Sequence, residues 1–120
     1  MVRGITQGTP AEGAAKLELE LRRGVVVLAV LSRLRTAQYG YSLRKALEEK
    51  GMPIEEGTLY PLIRRLESQG LLASEWRIEG ARPRRYYRLS EAGATLYAQM
   101  KTNWQQLGEV MNHLLAEEEG

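Results

Sequence analysis

The sequence predicts a mainly α-helical protein in which three helices precede a two-stranded β-hairpin and a fourth, longer helix follows it. Three observations lead to this prediction. Apolar residues recur every three or four positions through most of the chain, Gly and Pro separate these stretches, and residues 71–89 read as two short strands joined by a turn. With 120 residues, 43% of them hydrophobic and 27% charged, the chain has room for one ordinary globular domain.

The composition excludes several classes of function. The chain has no Cys, no Asp and one His, which rules out disulfides, thiol catalysis, a Ser-His-Asp triad and a clustered His metal site. The Glu residues are scattered or lie in exposed runs, and no acid–base pair or nucleophile constellation is visible. We therefore expect a protein that is not an enzyme and that needs no cofactor and no metal. Without an apolar run long enough to span a bilayer or to form a signal peptide, we expect it to be cytoplasmic.

Charge is distributed unevenly along the chain. The net charge is +2, and 13 of the 17 basic residues are Arg, a count that could also reflect genome composition. The segment from Trp76 to Arg88 carries five Arg against the single Glu79, whereas residues 117–119 are all Glu. Five like charges in so short a segment repel one another, so their clustering favours an anionic partner such as nucleic acid.

The N-terminal third of the chain predicts an arm and a helix. Residues 1–16 contain four Gly or Pro and lack periodicity, which indicates a flexible N-terminal arm. From Leu17 onwards a helical pattern begins, with Leu17, Leu21, Leu31 and Leu34 on its inward face. The run 25–31 is apolar nearly all round and would also suit a buried strand, but its length and flanking charges favour a helix.

Two shorter helices are predicted next. The first runs over 39–50 and ends at Gly51, where a C-cap glycine belongs. The second runs from Glu55 or Thr58 to about residue 69, before Gly70. Pro61 lies near its beginning, and Pro is tolerated in the first turn of a helix. Either this helix begins near Thr58 or its first turn is irregular.

The hairpin and the final helix complete the predicted order. Strands are expected over 71–78 and 84–89, with a turn over 79–83 and Trp76 packed within the hairpin. Ser90 is placed to cap the last helix, which should run over 90–116. Residues 117–120 form an acidic tail. The lone His113 is interpreted as a surface or interface residue, since it lacks partners for catalysis or metal binding.

An apolar stripe on the last helix predicts a dimer interface. Its members recur at intervals of four and three residues, as in a heptad repeat, and a domain of this size can bury about half of so long a helix. A second copy of the chain is the simplest partner for the rest, although the stripe could instead pack wholly on the chain's own first helix. The stripe consists of Leu96, Met100, Trp104, Leu107, Met111 and Leu114.

Three helices followed by a hairpin form the order of a winged helix-turn-helix DNA-binding domain, here residues 17–89, joined to a long C-terminal dimerisation helix. In that architecture the third helix enters the major groove and the hairpin, or wing, contacts the backbone or the minor groove. Hydroxyl and guanidinium groups are suited to phosphates and base edges. Arg64 and Arg65 could equally be solvated helix charges, and Tyr60 a packing residue. The candidate DNA contacts are Tyr41, Thr58, Tyr60, Arg64, Arg65, Arg82, Arg84 and Arg85.

Three motifs carry a resemblance to a known family. The segment 56–67, followed by Gly70-Leu71, resembles the recognition-helix signature of PadR-family transcriptional regulators. The segment 39–43 is similar to the family's preceding helix, and 84–93 to its wing-to-last-helix signature. The motifs occur in order and with family spacing, and the resemblance covers about residues 19–116.

The resemblance implies a dimeric repressor that binds an inverted-repeat operator and responds to a small, often aromatic, effector. It implies that Tyr41, Thr58, Tyr60 and Arg64 face DNA, with Arg84 and Arg85 in the wing. The chain resembles in particular the small subfamily with a single C-terminal helix, some members of which are similar to multidrug sensors.

A Trp on the last helix lines a pore between the two subunits in those sensors, and Trp104 matches its position. Two indoles related by symmetry could sandwich a flat ligand, with Met100 and Met111 as adaptable walls. Alternatively, Trp104 is a core residue that fills the dimer interface.

Two other classes of function remain open from the sequence. One is a winged-helix adapter whose last helix docks another protein, and the other is a small-molecule-binding protein without regulatory activity. The wing should discriminate the adapter from a DNA-binding regulator, since an adapter has no need for Arg82, Arg84 and Arg85 to be free of acidic neighbours.

Overall fold

The computed structural model describes residues 8–116 of the chain, so the acidic tail and the first seven residues of the predicted arm lie outside the described range. Three helices, a hairpin and a long helix follow one another in the predicted order, with one additional short strand. The elements within this range are α1 (Pro10–Arg33), β1 (Gln38–Tyr39), α2 (Gly40–Glu49), α3 (Glu56–Ser68), β2 (Leu72–Glu79), β3 (Arg82–Leu89) and α4 (Glu91–Ala116).

Helix α1 begins at Pro10, seven residues before the predicted start at Leu17. Thr9 and Glu12 form a capping box: the Glu12 amide donates to the Thr9 hydroxyl at 3.1 Å, and the Thr9 amide donates to the Glu12 carboxylate at 2.9 Å. Pro10 fits the first position because no amide donor is needed there. The sequence predicts that residues 10–16 belong to a flexible arm, and this prediction is wrong, because they form the exposed first turns of α1.

The core lies where the C-terminal half of α1 meets α2, α3 and the base of the hairpin. Val30 and Leu31 of α1 and Leu34, the residue that follows the helix, are fully buried. Leu17 and Leu21, predicted on the same inward face, are 65% and 75% exposed. The apolar face of α1 thus extends well beyond the core. The other buried apolar residues are Leu43, Leu47, Ile54, Leu59, Leu62, Ile63, Leu66 and Leu72.

Helix α3 contains Pro61 in its interior rather than in its first turn, contrary to the expectation from sequence. Proline has no amide donor, so the carbonyl of Gly57, four residues earlier, receives no intrahelical hydrogen bond at this position. Gly57 and Pro61 are both exposed, which leaves that carbonyl able to bind water. Glu55 is the N-cap residue, so the helix starts at the earlier of the two predicted positions.

The hairpin belongs to a three-stranded antiparallel sheet in the order β1-β3-β2, where two strands were predicted. Gln38 and Tyr39 form the additional strand by pairing with Tyr87 and Tyr86 of β3. The turn is tighter than the predicted 79–83, because Glu79 pairs with Arg82. Gly80 has a φ of 64°, the positive value that a tight hairpin turn requires.

Helix α4 is anchored at its start and projects at its end. The Ser90 hydroxyl accepts from the Gly93 amide at 3.0 Å, as the predicted N-cap should, and donates to the Gly70 carbonyl at 2.6 Å. Leu96 and Met100 pack against the core, but the apolar residues from Trp104 onwards are exposed. The radius of gyration, 18.4 Å, exceeds the ~13–14 Å of a compact domain of this length, as projecting helix ends require.

Candidate nucleic-acid interface

The exposed face of α3 lines two separate grooves. Tyr60 and Arg64 face the side of the wing, and Thr58 and Arg65 face the side of α1. Because residues three and four apart are neighbours on a helix, this division follows from the positions of the four residues. All but the half-buried Tyr60 are exposed.

The groove between α3 and the wing, here called the wing-side cleft, has a volume of about 300 Å³. It brings together five of the eight residues predicted to contact DNA, drawn from α2, α3 and β3. Arg82 lies at the exposed tip of the hairpin instead, and Thr58 and Arg65 line the groove on the other side of α3. The cleft residues among the predicted contacts are Tyr41, Tyr60, Arg64, Arg84 and Arg85.

The aromatic side of the wing-side cleft depends on a glycine. A Cβ added at Gly40 would lie 2.9 Å from Cε1 of the Tyr60 ring, so the ring packs where a side chain would otherwise stand. Tyr41, the next residue, is 52% exposed and stacks with Tyr39 at a centroid separation of 6.4 Å. The first turn of α2 therefore presents one tyrosine to solvent and holds another in place.

Trp76 also lines the wing-side cleft and is 64% exposed, although the sequence had suggested that it packs within the hairpin. Ile78, two residues on and therefore on the same face of β2, is 79% exposed. Pairing across the strands places Pro83 opposite Ile78. The wing thus carries an exposed apolar strip that sequence reasoning missed, although alternation along β2 from buried Leu72 would have placed Trp76 and Ile78 on this face.

Two arginines of the wing have acidic neighbours, contrary to the expectation that they would be free. Arg84 pairs with Glu79 at 3.2 Å, and its guanidinium lies 4.5 Å from the centre of the Tyr39 ring. Arg85 pairs with Glu67 of α3 at 3.0 Å. Within residues 8–116, Arg64, Arg65 and Arg82 form no ion pair and are the more available cations.

Hydrogen bonds shift the pKa values of two side chains near the wing, Glu67 and Tyr86. The hydrogen bond from the Ser74 hydroxyl has the largest effect and holds the pKa of Glu67 below its ordinary value. Partial burial opposes it, and Arg85 lowers the pKa further. On the other face of the hairpin, Tyr86 donates to both oxygens of Glu79 at 2.8 Å, and this bond raises the pKa of Tyr86. The first of these interactions favours the charged form of the Glu67 carboxylate.

The residues predicted for the dimer interface and the effector separate along α4. Leu96 and Met100 pack on the core of their own chain. Trp104, 53% exposed, lines a groove of about 310 Å³ that also contains Val25 and Leu28 of α1. Leu107, Met111 and Leu114 are 62%, 45% and 55% exposed and lie further along the helix.

Residues 8–116 include no group of three His or Glu side chains arranged to hold a metal ion. His113 lies exposed in the last turn of α4. None of the helices in this range is long and apolar enough to cross a membrane.

The fold has three packed helices, of which α3 presents an exposed outer face, and a cationic hairpin lies beside α3. This arrangement defines a winged helix-turn-helix DNA-binding domain with α3 as its recognition helix. Comparison with known proteins identifies the family. The model of the "Transcriptional regulator PadR-like family" matches residues 27–99, which is more than half of the chain. The chain belongs to the PadR-like family of transcriptional regulators, whose members are DNA-binding regulators rather than enzymes.

Individual relatives agree with this assignment. The transcriptional regulator Rv3488 of Mycobacterium tuberculosis is 40% identical over 75 residues, which cover 62% of this chain and 70% of the relative. A PadR-family regulator from Eggerthella lenta has a crystal structure with a TM-score of 0.76 and 48% identity, covering 88% of this chain and 94% of that one. A PadR-like factor from Bacteroides fragilis has a TM-score of 0.71 and 30% identity, over 82% and 98% of the two chains.

Proposed function

We propose that this chain is a homodimeric repressor that binds an inverted-repeat operator through α3 and the wing. The observation that carries the proposal is the wing-side cleft, where cationic and hydroxyl groups from α2, α3 and β3 converge beside an exposed helix face. One strand of a DNA duplex would run along this cleft while the outer face of α3 enters the major groove.

The groups around α3 have distinct proposed roles. Arg64 and Arg65 would reach base edges, where a guanidinium suits the two acceptors of guanine, and Thr58 and Tyr60 would donate to bases or phosphates. Arg82, exposed at the wing tip, would contact the phosphate backbone. Trp76 adds an apolar surface that fits the deoxyribose edge of a strand in the cleft.

A second copy of the chain is the proposed cover for the exposed apolar faces of α1 and α4. Leu17, Leu21, Leu107 and Leu114 are each more than half exposed, and all lie on the parts of the two helices that project beyond the core. Exposure of this extent marks an interaction surface rather than free solvent contact. Two-fold symmetry would then place two recognition helices about 34 Å apart, one turn of DNA.

The effector is proposed to bind at Trp104, in the groove between α1 and α4. The indole and the apolar side chains of Val25 and Leu28 suit a flat aromatic molecule, and the groove lies against the proposed dimer contact. Met111 lies further along α4, where a partner subunit could bring it near, and Met100, one turn before Trp104, packs against the core of its own chain. An effector would change DNA binding through its different affinity for the two arrangements of the heads.

Selection of duplexes from a random library, followed by anisotropy titrations, tests this function. We expect an enriched inverted repeat that binds at least ~10³-fold more tightly than a scrambled duplex. Arg64→Ala should reduce this ratio, whereas Arg33→Ala, which removes an arginine from the last turn of α1 outside both grooves beside α3, should preserve it. A promoter overlapped by the enriched repeat should be silenced in transcription reactions. Equal binding to both duplexes would reject the proposal in favour of the adapter function.

A further inference from the structure

Three side chains from three elements meet where α3 joins the wing: Glu67 of α3, Ser74 of β2 and Arg85 of β3. Arg85 donates from Nε to the Ser74 hydroxyl at 3.0 Å and from Nη2 to both Glu67 oxygens, at 3.1 and 3.0 Å. The Ser74 hydroxyl in turn donates to the Glu67 carboxylate. We call this arrangement the Glu67–Ser74–Arg85 cluster.

The strand register explains why these groups meet. Ser74 pairs with Tyr87, and Arg85 is two residues from Tyr87, so both side chains lie on the face of the hairpin that packs on the helices. The Arg85 guanidinium also lies 5.6 Å from the centre of the Tyr87 ring and 5.8 Å from that of Trp76. Hydrogen bonds and cation–π contacts therefore both fix the position of this guanidinium.

The outer hairpin needs such a tie. From Trp76 to Arg84 nearly all residues are exposed, so apolar burial does little to hold this part against the helices. A two-stranded ribbon is marginally stable by itself in water. Glu67 and Arg85 are 18 residues apart in sequence, and their contact links the C-terminal part of α3 directly to the outer hairpin.

Glu67 carries a negative charge on the helix that is proposed to face DNA. A carboxylate on a helix that faces DNA repels the phosphate backbone, and its removal would ordinarily strengthen DNA binding. Glu67 lies beside the wing-side cleft, where it would repel a bound phosphate backbone. Its oxygens accept hydrogen bonds from Arg85 and Ser74 of the wing.

We propose that Glu67 and Ser74 are positioning residues of the DNA interface, which act through Arg85 to set the angle and distance between α3 and the wing. The inference rests on the proposed DNA-binding function. Arg85 accordingly links two elements that are proposed to contact DNA, and it also lines the wing-side cleft.

Binding measurements with Glu67→Gln and Ser74→Ala separate this role from a simple phosphate contact by Arg85. We expect both variants to bind the selected operator about three- to tenfold more weakly than wild type. The double variant Glu67→Gln/Arg85→Gln should bind the operator no more weakly than whichever of Glu67→Gln and Arg85→Gln binds it less tightly. If Arg85 served as a free phosphate ligand, Glu67→Gln would bind more tightly, because a negative charge is lost and the guanidinium is released.

Glu75→Gln is the matched control. Glu75 carries the same charge one residue from Ser74, but it pairs with Arg77 of its own strand and cannot tie the wing to α3. Its removal should leave operator affinity unchanged or slightly increased. Weaker binding by Glu75→Gln to the same extent as by Glu67→Gln would overturn the proposal.

Amide hydrogen exchange of the DNA-free protein tests the cluster independently of function. Exchange over residues 76–85 should rise in Glu67→Gln and Ser74→Ala and stay at the wild-type level in Glu75→Gln. Faster exchange together with weaker binding supports the proposal, whereas unchanged exchange, or operator binding as tight as that of wild type, overturns it. A wild-type protein without selective DNA binding would reject the proposed function, while exchange would still decide whether the cluster orders the wing.

Discussion

The ring of Tyr60 packs directly against the backbone of Gly40, at a distance that leaves no room for a side chain. A Cβ at residue 40 would lie 2.9 Å from Cε1 and 3.3 Å from Cζ of the ring. A residue at the start of α2 thereby determines where the recognition helix holds its tyrosine, which is one of the groups proposed to contact DNA.

Gly40→Ala should weaken operator binding without unfolding the protein. The backbone of residue 40 is helical and accepts alanine, so the overlap must be relieved by movement of the Tyr60 ring. We expect a loss of about tenfold in affinity, or ~1.4 kcal/mol. Gly13→Ala is the control, because a Cβ there meets nothing within 4 Å. Unchanged affinity in Gly40→Ala would show that the position of Tyr60 does not matter for DNA binding.

Gly93→Ala should destabilise the fold. A Cβ at this buried position would overlap the carbonyl oxygen of Leu71, which is backbone and cannot rotate away. Overpacking of this kind costs ~1–3 kcal/mol. Gly24→Ala, at a helical position with open space, should be neutral or stabilising by up to ~1 kcal/mol. Urea denaturation at one protein concentration compares the two, and equal stability would contradict the close approach of α4 to Leu71.

Arg82→Gln should reduce the salt dependence of DNA binding. Arg82 is exposed at the wing tip and, within residues 8–116, has no carboxylate partner. Loss of one phosphate contact lowers the slope of log K against log salt by about 0.9. Anisotropy titrations over a salt series measure this slope for wild type, for Arg82→Gln and for Arg33→Gln, which removes a cation from the last turn of α1 outside both grooves beside α3. Identical slopes for Arg82→Gln and wild type would exclude a phosphate contact.

Stability should depend on pH through Glu67. Its pKa in the folded protein is lowered, first by Ser74 and then by Arg85, so the charged form stabilises the fold. This contribution is fully present above the unfolded pKa of about 4.3 and is lost as pH falls through the lower folded value. The difference in unfolding free energy between wild type and Glu67→Gln should therefore shrink below about pH 4. A difference that persists unchanged in acid would contradict the ion pair.

Most of the fold could be predicted because its signals are local. Gly51 and Gly70 adopt the positive φ of helix-terminating glycines, Ser90 caps α4, and α3 carries its apolar residues inward, as the sequence indicated. The start of α1 could also have been found, since Thr9 followed by Pro10 and Glu12 is a capping-box pattern. The Gly and Pro nearby outweighed that signal and led to the prediction of an arm.

The remaining differences depend on contacts between distant parts of the chain. Strand β1 is two residues long, too short for a periodic pattern, and exists because β3 offers a free edge to Gln38 and Tyr39. The pairing of Arg85 with Glu67 spans 18 residues and requires the packed hairpin. The sequence led to the prediction that Arg85 contacts DNA, and the structure adds that it links the wing to α3.

The exposed half of α4 yields a prediction about assembly. Leu107→Glu combined with Leu114→Glu places two charges on the apolar surface that we propose a second copy covers. The variant should be monomeric in sedimentation experiments and should lose most of its affinity for the full operator, because each head then binds a half-site alone. Gln99→Glu combined with Gln106→Glu adds the same charge at exposed polar positions and should remain dimeric. A dimeric Leu107→Glu/Leu114→Glu protein would exclude this surface.

We propose that two copies of the chain together read one inverted-repeat sequence through α3 and the wing. Hydroxyl-radical footprinting on the selected duplex tests it most directly, in parallel with the stoichiometry of the complex. We predict two chains per duplex and two symmetric zones of protection centred about 34 Å apart, with the outer edge of each zone lost in Arg82→Gln. One continuous zone without symmetry, or protection that is the same on a scrambled duplex, would exclude recognition of an inverted repeat by a dimer.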